Sequence, residues 1–216
     1  DDSLASTIEN ALGTGDVTIE TTSAGASSVN TSSSESAGDG DITVNSGITW
    51  SNSSKLTLKA DDEIYVNATI ENTNNTNGGV YFQAANTSDK VIFDTNGKVI
   101  VNNVYQLQWI NTALGGNYEL GSDIDAGVTK TDTTNWGTEG FNPLGNDSDR
   151  FTGNFDGLGH TIDSLYINRP NQDFLGLFGH ASGATIKNVG LTNVDITGKN
   201  FIGGFVGYTS NYSKIK

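Results

Sequence analysis

The residues with the clearest chemical potential lie in the segment Phe155-Asp156-Gly157-Leu158-Gly159-His160. With glycines between them, Asp156 and His160 could lie on one turn and share a proton. The same pattern is typical of a tight corner at Asp156-Gly157, after which His160 begins the next strand. A glycoside hydrolase also requires a second carboxylate about 5–9 Å away, and no spacing in the sequence nominates one. We therefore favour the corner and predict no catalytic residue.

Two acidic segments, Asp123-Ile124-Asp125 and Asp147-Ser148-Asp149, offer the oxygen ligands that Ca²⁺ prefers. Neither has the length or the terminal glutamate of a calcium loop, and we expect Ile124 to point inward with both of its aspartate neighbours in solvent. His180 follows a glycine and is expected to be a surface imidazole at a turn. With two histidines and no cysteine, a zinc site is not expected. We predict no cofactor and no metal ligand, with Ca²⁺ as the open alternative.

Tyr65, Tyr81 and Tyr166 alternate with apolar residues, and an outward stripe of tyrosines could stack on sugar rings. We favour the alternative, in which each ring covers its neighbours. No GxSxG motif and no Ser/His/Asp order stands out. The glycines of GLFG and GGFVG lack the lysine and helix of a phosphate loop, and we interpret them as allowing a sharp turn after Phe178. Ligand-binding residues are therefore not identified.

Asparagine sequons are no more frequent than chance predicts, so glycosylation stays open. They begin at Asn30, Asn52, Asn67, Asn74, Asn86, Asn146 and Asn211.

The composition excludes several classes of partner. The 216 residues include 11 basic and 25 acidic side chains, a formal net charge of −14. Such a field repels nucleic acids and anionic lipid surfaces. No apolar run approaches the roughly 20 residues of a transmembrane helix, and the absence of cysteine removes disulfide and thiolate chemistry. We predict no nucleic-acid partner and no transmembrane segment.

Short bursts of β-branched residues separated by Gly, Asn and Asp predict many short strands. They start at residues 16–20 and continue from 41 to 101, with a Ser/Gly-rich loop at 21–40. Residues 1–12 allow a short helix or a strand lead-in, and Tyr105–Leu114 allows a capping or interrupting helix. Antiparallel hairpins would favour two-residue turns, and only Asn96-Gly97 resembles one. An all-β, right-handed parallel β-helix is therefore the predicted fold class.

An internal repeat supports stacked units. Phe174-Leu175-Gly176-Leu177-Phe178-Gly179 returns 27 residues later as Phe201-Ile202-Gly203-Gly204-Phe205-Val206-Gly207. Ala184-Thr185-Ile186-Lys187 returns 29 residues later as Ser213-Lys214-Ile215-Lys216. A period in the twenties indicates one coil per unit, each buried by its neighbours. We expect the last unit to be incomplete.

Longer motifs resemble a known family. Residues 105–168, with YQLQWINTALGGNYELGSDIDA, GFNPLGN and RFTGNFDGLGHTIDSLYIN, and residues 174–207 resemble the GLUG-repeat region of filamentous-haemagglutinin-like exoproteins. Residues 4–82, with STIENAL and GDVTIETT, look like the repeat rungs of the same exoproteins. The resemblance implies β-helical rungs over 1–104 and GLUG-type repeats over 105–216. It also implies a large adhesin exported by two-partner secretion through an outer-membrane partner.

The expected function is a segment of a secreted bacterial surface adhesin. Its rod would present or space a binding surface for host, extracellular-matrix or polysaccharide ligands, without enzymatic activity. Two alternatives remain, namely a polysaccharide lyase or hydrolase on the same fold, and a structural stalk beside a peptidase or toxin domain. The sequence names neither the ligand nor the oligomeric state.

Overall fold

The computed structural model describes residues 2–21, 40–84 and 90–216, so most of the Ser/Gly-rich segment predicted at 21–40 lies outside the described residues. The helices are α1 Asp2–Leu12, α2 Val104–Trp109, α3 Val128–Thr131 and α4 Thr133–Trp136, with a 3₁₀ turn at Ile110–Thr112. The strands are β1 Val17–Glu20, β2 Ile42–Val44, β3 Ile48–Trp50, β4 Lys55–Lys59, β5 Ile64–Val66, β6 Thr69–Asn72, β7 Gly79–Gln83, β8 Val91–Phe93, β9 Lys98–Val101, β10 Asn117–Leu120, β11 Ile124–Asp125, β12 Asn154–Asp156, β13 Thr161–Asp163, β14 Tyr166–Asn168, β15 Phe178–Ser182, β16 Thr185–Lys187, β17 Gly190–Thr192, β18 Asp195–Thr197, β19 Val206–Ser210 and β20 Lys214–Ile215.

The strands form parallel sheets, as the sequence predicts. All pairings between these named strands are parallel. Paired residues are from 19 positions apart, for Val99 and Tyr118, to 39 positions apart, for Val17 and Leu56. Asn96-Gly97 does not close a hairpin, because β8 and β9 belong to different sheets.

The largest sheet, called the long sheet below, has seven strands in the order β3, β6, β9, β10, β12, β16 and β20. It therefore contains strands from both predicted segments, 1–104 and 105–216. Smaller sheets comprise β1-β4-β7, β2-β5-β8, β11-β13-β17, β14-β18 and β15-β19.

Inward side chains stack on like side chains from strand to strand, because side chains alternate between the faces of a strand. In the long sheet, one such column joins Ile48, Ile70, Val99, Tyr118, Phe155, Ile186 and Ile215. All of these are buried except Ile215, which is 44% exposed. The columns belong to one continuous hydrophobic cluster that includes residues from Ile8 to Ile186.

The sequence repeat, which covers the last two units, agrees with part of their register. Ile186 pairs with Ile215 at the 29-residue offset, and Leu175 bridges Ile202 at the 27-residue offset. The prediction is wrong by one position further along, since Phe178 pairs with Val206 rather than with Phe205. One extra residue is therefore accommodated in the second unit, between Ile202 and Val206.

The predicted sharp turn after Phe178 is also wrong, because Phe178 begins the continuous strand β15. Gly179 lies within this strand, where a Cβ atom would stand 2.3 Å from the carbonyl oxygen of Gly145. Close approach of two backbones, and not a turn, explains the glycine.

Helices cover parts of the sheets and satisfy exposed backbone groups. Of the two alternatives for residues 1–12, a short helix or a strand lead-in, the helix is present as α1. Its Glu9 carboxylate accepts a hydrogen bond from the Thr49 amide of the edge strand β3 at 2.7 Å. Asn103 caps α2 by accepting from the Gln106 amide. In α4, the Trp136 ring packs 5.3 Å from Tyr105 of α2. Within the described ranges, no helix has the length and apolar character needed to cross a membrane.

Candidate functional site

The strongest candidate site is an open groove of about 770 Å³ on the outer face of the long sheet. It crosses β9, β10, β12 and β16 and is flanked by the connection that follows β8. Its lining includes the polar residues Lys98, Asn117, Glu119, Asn154, Asp156 and Lys187. We call this feature the sheet groove.

Strand alternation builds the sheet groove. In β10, Tyr118 and Leu120 are buried, so Asn117 and Glu119 between and beside them must point outward. The parallel register then places Glu119 beside Asp156 and Asn117 beside Asn154 on the adjacent strand. Outward polar residues from distant parts of the sequence are thereby brought into two adjacent columns.

Two ion pairs neutralise the centre of the sheet groove. The Lys98 ammonium lies 2.8 Å from the Glu119 carboxylate, and the Lys187 ammonium lies 2.9 Å from the Asp156 carboxylate. Next to them, the Asn154 side-chain amide donates to the Asn117 side-chain oxygen at 2.9 Å. The sequence did not identify three of these side chains as site residues, namely Lys98, Glu119 and Lys187. Strand alternation in the sequence shows only that they point outward, because their partners depend on the register of the paired strands.

Asp156 stabilises the tight turn after β12, at the position where the sequence predicts a corner. One of its carboxylate oxygens accepts from the Leu158 amide and from the Asn188 side chain, both at 3.0 Å. Leu158 adopts a left-handed conformation, with φ of 51°. Partial burial raises the pKa of the Asp156 carboxyl, but hydrogen bonds from Lys187, Leu158 and Asn188 outweigh this effect and lower it below its ordinary value. The carboxylate is thus charged at neutral pH and fully engaged.

Asp156 and His160 are not brought together as a proton-sharing pair. His160 instead lies 3.2 Å from the Asp123 carboxylate, which also accepts from the Thr161 amide at 2.8 Å. The Thr161 amide and His160 together lower the pKa of Asp123. Asp123 therefore joins the start of β13 to the neighbouring strand, which is a structural contact.

The expectation that His180 is a surface imidazole at a turn is wrong. His180 lies in the middle of β15 and is 2% exposed. The Phe174 ring stacks on it at 5.7 Å, and Tyr208 packs edge-on at 4.9 Å. Burial lowers the pKa of His180, the charge of Arg150 lowers it further, and Asp147 opposes both effects.

The surroundings of His180 have the order of a Ser–His–Asp relay, which the sequence did not reveal. His180 Nε2 lies 2.9 Å from Ser210 Oγ, and its Nδ1 lies 3.6 Å from the Asp147 carboxylate. The second distance exceeds hydrogen-bonding range, and Nδ1 is buried without a hydrogen-bond partner. A triad requires that second hydrogen bond to fix the tautomer. We therefore interpret His180 as part of the packed interior, beside the exposed Asp147.

The three tyrosines lie in three different sheets and do not form one stripe. The Tyr65 hydroxyl donates to the Glu63 carboxylate. Lys55 lies over the Tyr81 ring at 5.7 Å, and Lys130 lies over the Tyr166 ring at 5.0 Å. All three rings are half-buried against neighbouring side chains.

The aspartates of both acidic segments are exposed to solvent. The sequence predicted this for the two aspartates of the first segment. Ile124 is buried while Asp123 and Asp125 are exposed. In the second, the Asn146 side chain accepts from the Ser148 and Asp149 amides to form an exposed turn. Among the residues that the structure describes, no group of three or more His, Asp or Glu side chains could hold a metal ion.

The described sequons have structured surroundings. The Asn52 amide donates to the Leu12 carbonyl at 2.7 Å, and the Asn67 amide donates to Asn45 at 2.9 Å. The sequons at Asn30 and Asn86 lie outside the described residues.

Comparison with known proteins gives partial relatives. The chain is 44% identical over 105 residues to a protein named Halomucin from Haloquadratum walsbyi. The aligned region covers 47% of this chain and 1% of that protein. It is 33% identical over 84 residues to a protein named "Putative Gly-rich membrane protein" from Evansella cellulosilytica, which covers 38% of this chain and 9% of that protein. The chain thus spans a small part of both relatives. No family model matches the chain, and no solved structure matches it significantly.

Proposed function

We propose that this chain is a segment of a secreted or cell-surface protein, folded as a right-handed parallel β-helix that presents the sheet groove to a ligand. The ligand classes are those expected from the sequence, namely host-surface, extracellular-matrix or polysaccharide molecules. Export with an outer-membrane partner, as in filamentous-haemagglutinin-like adhesins, is part of the same proposal.

Consistent parallel pairing supports the coiled architecture. In the long sheet, each inner strand pairs with one strand before it and one after it in the sequence, and one inward column runs through all seven strands. Parallel strands need long crossover connections. Most connections here lead the chain through another parallel sheet before it returns to the long sheet, whereas the connection from β9 to β10 passes through α2 and the 3₁₀ turn. Stacked coils of this kind form a stiff rod that lengthens by about 4.8 Å per coil.

The names of the two relatives support an extracytoplasmic location, since one is called Halomucin and the other is called a membrane protein. The net charge of −14 would keep such a segment dissolved and would oppose adhesion to polyanions.

The sheet groove is the observation that carries the binding function. It is open, it crosses four strands, and four of its charged side chains form two ion pairs on the sheet. Binding sites on strands are held more rigidly than sites on loops.

A glycan and matrix-protein array tests this proposal directly. We expect the labelled chain to bind a subset of spots, and we expect a variant with Lys98→Ala and Glu119→Ala to lose that binding. The matched control carries Lys59→Ala and Glu20→Ala, which removes a somewhat more exposed ion pair on another sheet. A chain that binds no spot, or a groove variant that binds as well as the control, would contradict the proposal.

A polysaccharide-degrading enzyme is the second candidate, because the structure places Glu119 beside Asp156. Adjacent strands lie about 4.8 Å apart, close to the separation of two catalytic carboxylates. A general acid must keep its proton at the working pH, whereas Lys98 and Lys187 neutralise these carboxylates and the pKa of Asp156 is lowered. Release of reducing ends that disappears in Asp156→Ala would favour the enzyme over the binding rod.

A further inference from the structure

We propose that the sheet groove holds a linear, uncharged polysaccharide, which crosses β9, β10, β12 and β16 with one sugar unit over each strand. This inference rests on the proposed binding function and specifies its ligand.

The charges of the sheet groove favour an uncharged ligand. Its two lysines are each paired with one carboxylate, so Lys98 with Glu119 and Lys187 with Asp156 contribute no net charge. Asp94 also lines the groove and accepts from the Asn96 and Gly97 amides of its own turn, so the lining carries one negative charge in excess. A polyanion would have to displace these pairs against the net charge of the whole chain, which is −14.

The spacing of the sheet groove favours a linear chain that runs across the strands. Lys98, Asn117, Asn154 and Thr185 occupy successive positions of one outward column, while Glu119, Asp156 and Lys187 form the adjacent column. Neighbouring strands are about 4.8 Å apart, so four strands span about 14 Å. An extended polysaccharide repeats its units at a comparable distance. Each sugar can therefore meet a polar side chain of the first column on each of the four strands.

The hydrogen-bonding capacity of the groove suits hydroxyl groups. Each lysine ammonium has three N–H donors and donates one of them to its carboxylate, which leaves donors for a ligand. The second Glu119 oxygen can accept, so the groove offers both donors and acceptors to a ligand. The half-buried Phe93 ring lines the same groove and offers an apolar surface to the C–H face of a sugar.

The test is calorimetric titration of the whole chain with neutral oligosaccharides of two to six units. The probes are β-1,4-glucan, β-1,3-glucan and β-1,4-mannan oligomers, with oligouronates of equal length as the charged comparison. We expect affinity for one neutral series to rise up to about four units and then level off, because four strands are available. We expect less than about a twofold change in affinity between low and high salt, because no net charge is neutralised.

The two variant pairs separate this inference from the proposed function. We expect the variant with Lys98→Ala and Glu119→Ala to bind neutral oligomers roughly tenfold more weakly, because it loses one or two charge-assisted hydrogen bonds to the ligand. We expect the control with Lys59→Ala and Glu20→Ala to bind them with unchanged affinity. Preference for oligouronates, or affinity that does not depend on length up to four units, would overturn the inference and leave the binding function standing. Absence of binding to every probe here and on the array would overturn both.

Discussion

Replacing Phe155 with alanine tests the stacked core most directly. Its ring is fully buried in the column of the long sheet, between Tyr118 and Ile186, and it packs edge-on to Phe178 at 5.3 Å. Phe→Ala substitutions in packed cores cost about 3–5 kcal/mol, through lost transfer free energy and the cavity left behind. We expect Phe155→Ala to reduce the free energy of unfolding by that amount, measured by urea denaturation.

The location of the loss is as informative as its size. In a stack whose strands contact only their neighbours, stability is a sum of local terms. Hydrogen exchange followed by mass spectrometry should therefore show faster exchange of the β10, β12 and β16 amides in Phe155→Ala. The amides of β4, at the other end of the stack, should keep their protection.

Leu158→Ala is the matched control, because Leu158 lies three residues away and is 55% exposed. Its effect should stay within about 0.5 kcal/mol, as for most surface substitutions. A cost below about 1 kcal/mol for Phe155→Ala would refute the buried column. Equal loss of protection in β4 and β12 would refute the description of the fold as a stack of locally stabilised units.

Three further predictions concern packing, a helix cap and pH. Gly179→Ala should lower the free energy of unfolding by about 1–3 kcal/mol in urea denaturation, since its Cβ would meet the Gly145 carbonyl oxygen. The control Gly15→Ala, with open space around the new Cβ, should not lower it. Equal effects of the two substitutions would contradict the close approach at Gly179. Asn103→Ala should cost about 2 kcal/mol in thermal denaturation, because the buried amide caps α2 and donates to the Asn74 carbonyl; an unchanged melting temperature would contradict this. Burial lowers the pKa of His180 in the folded chain, so the unfolded chain binds more protons below the ordinary histidine pKa of about 6.5, and the stability present above that pH is lost as the pH falls. His180→Gln should therefore reduce the pH dependence of the unfolding free energy. An identical pH profile in this variant would refute the prediction.

The sequence by itself determined the strands, the polar turns and the pairing of a few residues in the last two units. Apolar alternation marks strands such as Ile64–Val66 because one face of each strand is buried. The 27- and 29-residue repeats predict partners such as Ile186 and Ile215, since stacked units bury like residues upon like. The right-handed β-helix, the adhesin function and the family resemblance stay predictions.

The tertiary structure alone decided which polar residues meet. Glu119 and Asp156 are 37 positions apart in the sequence and become neighbours only through the pairing of β10 with β12. His160 contacts Asp123 rather than Asp156 because β11 and β13 are adjacent strands. His180 follows a glycine, as a turn residue would, yet it is buried because aromatic rings from Phe174 and Tyr208 enclose it. Local sequence encodes which face a side chain takes, whereas its partner depends on the length of the connection between paired strands.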